Sequence, residues 1–150
     1  MEPNTEGREL NPPRSNVLGV EDDPMLRQVM TIRFAGIHPQ GGLFDRYEAV
    51  GTGEEALEIL RKEGADFNVL ITDRDLGKTD MDGMSLIKKI KENYPTILTV
   101  LLSSRTEDLD PQDSESPDVI INKSELSLKG APEIAKKVKN ALAYKVQQSQ

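Results

Sequence analysis

Five short apolar runs, separated by stretches with helical spacing, restrict this chain more than any other feature of its sequence. The runs fall at residues 17–20, 47–50, 69–72, 97–102 and 119–121. The third reads Val-Leu-Ile-Thr with no polar alternation, the mark of a strand covered on both faces. Between the runs the period changes. Met25, Leu26, Val29 and Met30 recur at helical spacing after Pro24, which the first turn of a helix tolerates. Ala56, Leu57, Ile59 and Leu60 follow a cap at Thr52 or Gly53, and Leu86, Ile87 and Ile90 follow one at Asp82. Pro132 opens a last helix with Ile134, Val138, Ala141, Leu142 and Val146 on one side.

Strands that alternate with helices are joined by crossovers and lie parallel in one sheet. The expected architecture is therefore α/β, a flavodoxin-like doubly wound five-stranded parallel sheet in the order 2-1-3-4-5. The fourth crossover departs from the rule. Residues 105–117 carry no apolar stripe and have Pro111 in their middle, so at most one helical turn or a mobile loop is expected there, a degenerate fourth helix. A chain of 150 residues with 36% hydrophobic content suits one domain, placed at 16–148 after a polar tail at 1–15 that is expected to be disordered. The sole histidine, His38, sits in a loop near Pro39 and Gly41 and is expected to be solvated.

Charge and composition exclude several functions. A formal net charge of -7 disfavours binding DNA phosphates through the overall field. The absence of cysteine removes disulfides, thiolate metal sites and cysteine catalysis. No apolar stretch is long enough to span a membrane, and the start of the chain has no signal-peptide core. The cytoplasm is the expected location.

In a doubly wound sheet, ligands sit beyond the carboxyl ends of the strands. The first run ends in Glu21, Asp22 and Asp23, the third in Asp73, the fourth in Ser103 and Ser104, and the fifth in Asn122 and Lys123. Taken singly, each acid is an ordinary loop former and Lys123 an ordinary solvated lysine. Their combination at successive strand ends points to a site. Carboxylates that converge repel one another unless a cation compensates. An oxygen-only set without His or Cys suits Mg²⁺. The ion, Lys123 and Ser103 can then hold three phosphoryl oxygens while Asp73 attacks phosphorus.

These residues resemble the CheY-like receiver domain of two-component response regulators. The likeness rests on Val17-Leu18-Gly19-Val20-Glu21-Asp22-Asp23-Pro24, Phe67-Asn68-Val69-Leu70-Ile71-Thr72-Asp73, Met81-Asp82-Gly83 and Ile120-Ile121-Asn122-Lys123-Ser124. It implies that Glu21 and Asp22 bind Mg²⁺, that Asp73 is the phosphoacceptor and a metal ligand, and that the backbone carbonyl of Asp75 is a further ligand. It implies that Ser103 is the switch hydroxyl and Lys123 the phosphate-binding lysine. The phosphoryl donor would be a histidine kinase or histidine phosphotransfer protein. Output would pass through another protein, homodimerisation or a phosphorelay, and chemistry would be limited to self-phosphorylation and autodephosphorylation. Three departures stand out. Asp82 lies nine residues after Asp73, farther than the family usually places it, which makes Asp75 a competing acceptor. Ile120 stands where the family has an aromatic switch residue, and Ser124 where it has proline. Two other functions compete: a pseudo-receiver that only binds partners, and a haloacid-dehalogenase-like phosphatase using Asp73 and Asp75.

Overall fold

The structure is a computed structural model, in which residues 13–36, 42–62, 65–77, 81–110, 112–126 and 130–148 are described. His38 and most of the expected tail lie outside them. Ser15, at the end of that tail, is buried, and its N–H donates to Asp45 Oδ2 at 2.8 Å.

The elements run in chain order as β1 (Asn16–Val20), α1 (Pro24–Ala35), β2 (Arg46–Val50), α2 (Gly53–Arg61), β3 (Val69–Asp73), α3 (Gly83–Asn93), β4 (Leu98–Ser103), β5 (Val119–Asn122), a 3-10 turn (Lys123–Leu126) and α4 (Ala131–Gln148). All strand pairs are parallel and the sheet order is β2-β1-β3-β4-β5, as the sequence pattern requires. Every residue of β1, β3 and β4 is buried, whereas β2, at one edge, alternates toward solvent. Two-residue alternation along the inner strands divides the core into two layers. Val17, Val69, Ile71, Val100 and Leu102 pack with Met30 and Phe34 of α1 and with Ile134, Val138 and Leu142 of α4. Leu18, Val20, Leu70 and Leu101 pack with Leu57 and Leu60 of α2 and with Leu86, Ile87 and Ile90 of α3. Each fully buried aliphatic side chain contributes about 1.5–3 kcal/mol, so the two layers supply the main driving force for folding.

Side chains fix the helix starts. Asp23 caps α1 by accepting the Met25 N–H, with Pro24 in the first helical position. Thr52, rather than Gly53, caps α2 by accepting the Glu55 N–H, and Asp82 caps α3 through the Ser85 N–H. Met25 and Ile32, which fit the helical spacing of α1, are exposed rather than packed.

No helix forms between β4 and β5 among the described residues; the segment is a series of turns. It is anchored at discrete points. Leu109 packs against the second core layer, and Lys91 Nζ donates to the Ser116 carbonyl at 2.7 Å. At its far end Asp118 accepts the Thr99 N–H at 3.0 Å and pairs with Lys145 of α4 at 3.1 Å. No helix of the described residues is long and apolar enough to cross a membrane.

Candidate functional site

Because β1 and β3 are neighbours while the connections that follow them lead to opposite sides, from β1 to β2 and from β3 to β4, the sheet opens a crevice at their carboxyl ends. Glu21 and Asp22 follow β1 directly and Asp73 closes β3. One carboxylate oxygen from each of Glu21, Asp22 and Asp73 lies within 4.8 Å of the others. Lys123 enters from the 3-10 turn after β5, and its Nζ donates to Asp73 Oδ2 at 2.9 Å. The β3–β4 and β4–β5 registers, Asp73 with Leu102 and Ser103 with Asn122, bring these strand ends level.

The electrostatics of the cluster are severe. Glu21 and Asp73 are almost fully buried. Burial pushes the Glu21 carboxyl up to about 7, and the charge of Asp73 adds to the rise, against the Asp23 N–H and Lys123, which pull it down. Burial would lower the Lys123 ammonium, but its hydrogen bond to Asp73 and the charges of Asp73, Glu21 and Asp75 prevail and raise it. Lys123 thus compensates part of the negative charge. Glu21 Oε2 accepts the Asp23 N–H at 3.1 Å, whereas Glu21 Oε1 is buried without a hydrogen-bond partner. A hard divalent cation fits this donor set: three carboxylates, no nitrogen or sulfur ligand, and one orphaned buried oxygen.

The glycines of this region make the crevice narrow. A Cβ on Gly77, whose φ is 64°, would lie 2.3 Å from Asp22 Oδ2. A Cβ on Gly83 would meet the Asp73 carbonyl oxygen at 2.2 Å and Arg74 Cα at 2.8 Å, because the start of α3 docks on the end of β3 and the Gly83 N–H donates to the Arg74 carbonyl at 2.9 Å. Alanine ordinarily favours a helix over glycine by about 1 kcal/mol. Here the obstructing atoms are backbone, so Gly83→Ala is expected to destabilise the protein, toward the upper end of about 1–3 kcal/mol. A urea unfolding midpoint equal to or above that of the unaltered protein would contradict this docking.

The remaining expected site residues are placed less uniformly. Ser103 and Asp75 line the same open pocket as Asp73 and Lys123. The Ser103 hydroxyl is turned to its own loop: it donates to the Arg105 carbonyl at 2.5 Å and accepts the Arg105 N–H at 3.0 Å. The Asp75 side chain accepts the Gly77 N–H at 3.1 Å, and the Asp75 N–H donates to Asp73 Oδ1 at 3.3 Å. Sequence reasoning missed Arg74 and Arg105, which also line the pocket. The available signal was a second charge directly after the Asp73 that ends β3, at Arg74.

Comparison with known proteins identifies the family and the fold. A family model described as the response regulator receiver domain matches residues 17–121. The DNA-binding transcriptional regulator NtrC of Proteus hauseri is 35% identical over 97 residues, a match covering 65% of this chain and 18% of NtrC, so the chain spans less than a fifth of that relative's length. A response regulator receiver domain protein from Clostridium thermocellum has a TM-score of 0.66 at 18% identity, over 89% of this chain and 98% of that one. The response regulator TrrA of Thermotoga maritima, solved in complex with Mg²⁺-BeF, has a TM-score of 0.62 at 20% identity, over 85% of this chain and 99% of its own. The two structures bear on the fold alone. The family model covers well over half of the sequence, and the chain belongs to the response regulator receiver domains of two-component signalling.

Proposed function

We propose that this receiver domain accepts a phosphoryl group on Asp73 in a Mg²⁺-dependent reaction and acts as a phosphorylation switch or relay. The observation that carries the reading is the convergence of Glu21, Asp22 and Asp73 within 4.8 Å, with Lys123 bonded to Asp73. The donor would be a phosphohistidine on a histidine kinase or a histidine phosphotransfer protein, and the domain would span 16–148 in the cytoplasm.

Glu21, Asp22, Asp73 and the backbone carbonyl of Asp75 would hold the ion. When bound, it supplies positive charge to the phosphoryl oxygens and relieves the repulsion among the carboxylates. The Asp73 carboxylate attacks phosphorus, an O–P bond forms as the P–N bond to the donor imidazole breaks, and the departing ring nitrogen takes up a proton. Lys123, already bonded to Asp73, holds an equatorial phosphoryl oxygen as charge accumulates there. Ser103 donates to another once its hydroxyl leaves the Arg105 carbonyl. Hydrolysis of the acyl phosphate by water resets the switch.

Incubation with acetyl phosphate and Mg²⁺ tests this reading. Intact-mass measurement is expected to find one acid-stable, base-labile phosphoryl group, absent from Asp73→Asn and retained in Asp75→Asn. Steady turnover of many phosphate esters would favour the phosphatase chemistry of an Asp-x-Asp pair. No adduct under any condition would favour a binding module without phosphoryl chemistry.

A further inference from the structure

Arg74 follows the candidate acceptor directly, yet its guanidinium is committed elsewhere. Nη1 donates to Asp108 Oδ1 at 3.0 Å and to the Arg105 carbonyl at 2.9 Å, and Nη2 donates to Asp108 Oδ2 at 2.6 Å. The fork is a bidentate arginine–carboxylate pair, the geometry that gives such pairs their specificity. It spans 34 residues of sequence and ties the end of β3 to the helix-less segment between β4 and β5. The hydrogen bond to Arg74 holds the Asp108 carboxyl down at about 2.

The Arg105 carbonyl is the hinge of this arrangement, since it accepts from both Arg74 and the Ser103 hydroxyl. A serine hydroxyl has one proton to donate. It can satisfy the Arg105 carbonyl or a phosphoryl oxygen on Asp73, but not both at once. The Ser103 Oγ also accepts the Arg105 N–H, so turning the hydroxyl toward Asp73 disturbs two contacts with one residue. How readily Ser103 turns therefore depends on how firmly Arg105 is held, and Arg74 is the side chain that holds it.

We propose that Arg74 is a positioning residue for phosphoryl acceptance: through Asp108 and the Arg105 carbonyl it fixes the Ser103 hydroxyl turned away from Asp73, coupling that hydroxyl to the position of the loop between β4 and β5. The inference rests on the reading that Asp73 takes the phosphoryl group. It assigns Arg74 no contact with the reacting atoms. Release of the Arg74 fork lets the Arg105 backbone shift with its loop, so that its carbonyl and N–H no longer hold the Ser103 hydroxyl in place and the hydroxyl becomes available to the phosphoryl group. An occupied Asp73 that draws Ser103 away loosens the loop's hold in return, since coupling between two sites is reciprocal.

The test is a double-mutant cycle read by beryllofluoride, a phosphoryl mimic, titrated calorimetrically in the presence of Mg²⁺. Arg74→Ala is expected to bind the mimic about fivefold more tightly than the unaltered protein, the size of one neutral hydrogen bond. In a Ser103→Ala background the same change is expected to have no effect on affinity, because the hydroxyl it releases is gone. In the metal-free protein, Arg74→Ala is also expected to speed hydrogen exchange of the Arg105 amide, the donor to Ser103 Oγ. Equal affinities with and without Arg74, or equal shifts in both Ser103 backgrounds, would overturn the positioning role. Failure of the unaltered protein to bind beryllofluoride or to form an acetyl phosphate adduct would instead overturn the underlying assignment of Asp73.

Discussion

Replacing Lys123 with methionine is expected to slow phosphoryl uptake from acetyl phosphate by about 100-fold or more, the typical effect of removing one preorganised donor to developing charge. The same change should destabilise the metal-free protein by about 3 kcal/mol at neutral pH, because it leaves a buried carboxylate without its partner. Both effects have one origin. The Asp73 side chain is 4% exposed, and the Lys123 ammonium at 2.9 Å is its ion-pair partner. Asp73 also sits within reach of Glu21 and Asp22, so the loss of the lysine leaves three carboxylates with no counter-charge from the protein at that position. The Lys123 side chain is itself 30% exposed, and water partly screens the pair, which is why the lower end of the range for buried pairs applies. Millimolar Mg²⁺ should return part of the lost stability while leaving the rate defect, since the ion compensates the carboxylates but does not occupy the place of the ammonium. Parallel urea titrations and adduct formation over time separate the two outcomes. A Lys123→Met protein that takes up phosphate at the original rate would remove the lysine from the chemistry.

The second large effect is a reversal of pH dependence by the metal. Without the ion, stability is expected to fall as pH rises from about 4.5 to 7, by up to about 3 kcal/mol. The sign follows from Glu21. Its carboxyl titrates at about 7 in the folded protein and near its ordinary 4.5 once unfolded. Between those values the folded state binds more protons, so removing protons favours unfolding. On the proposed reading, Mg²⁺ would bind the ionised cluster and add stability by mass action, most where Glu21 would otherwise be forced to ionise without a counter-charge. Stability in the ion's presence should therefore be flat or rising over the same interval. Glu21→Gln, which cannot ionise, is the control and should flatten the metal-free profile. Unfolding midpoints at about pH 5 and about pH 8, with and without Mg²⁺, decide the matter. A metal-free protein equally stable at both would mean that Glu21 is solvated, not buried.

Much of this was legible in the sequence for a physical reason. Residues buried on both faces of a sheet leave no polar alternation, so 69–72 could be read as an inner strand without any structure. Asp82, an acid just ahead of a helical stripe, announces its cap by position, whereas the cap supplied by Asp23 is hidden among the acids that end β1. The missing helix between β4 and β5 was visible as a missing apolar stripe in 105–117. Pairings set by distance in the fold left no such trace. Nothing in the local pattern of Arg74 or Asp108 reveals a partner 34 residues away. The direction of the Ser103 hydroxyl is a rotamer choice decided by the Arg105 backbone, which periodicity does not encode. The exposure of Met25 and Ile32 was likewise hidden, because helical spacing reports which residues share a face and not whether a neighbour covers it.

The identity of the accepting residue is the centre of the account, and trypsin separates the two competitors. It cuts after Arg74, so Asp73 falls on the peptide 63–74 and Asp75 on the peptide 75–78. The measurement is to phosphorylate the protein with acetyl phosphate and Mg²⁺, reduce the acyl phosphate to homoserine with borohydride, digest, and weigh the two peptides. Conversion confined to peptide 63–74 is the predicted result; conversion on peptide 75–78, or on neither, would contradict it.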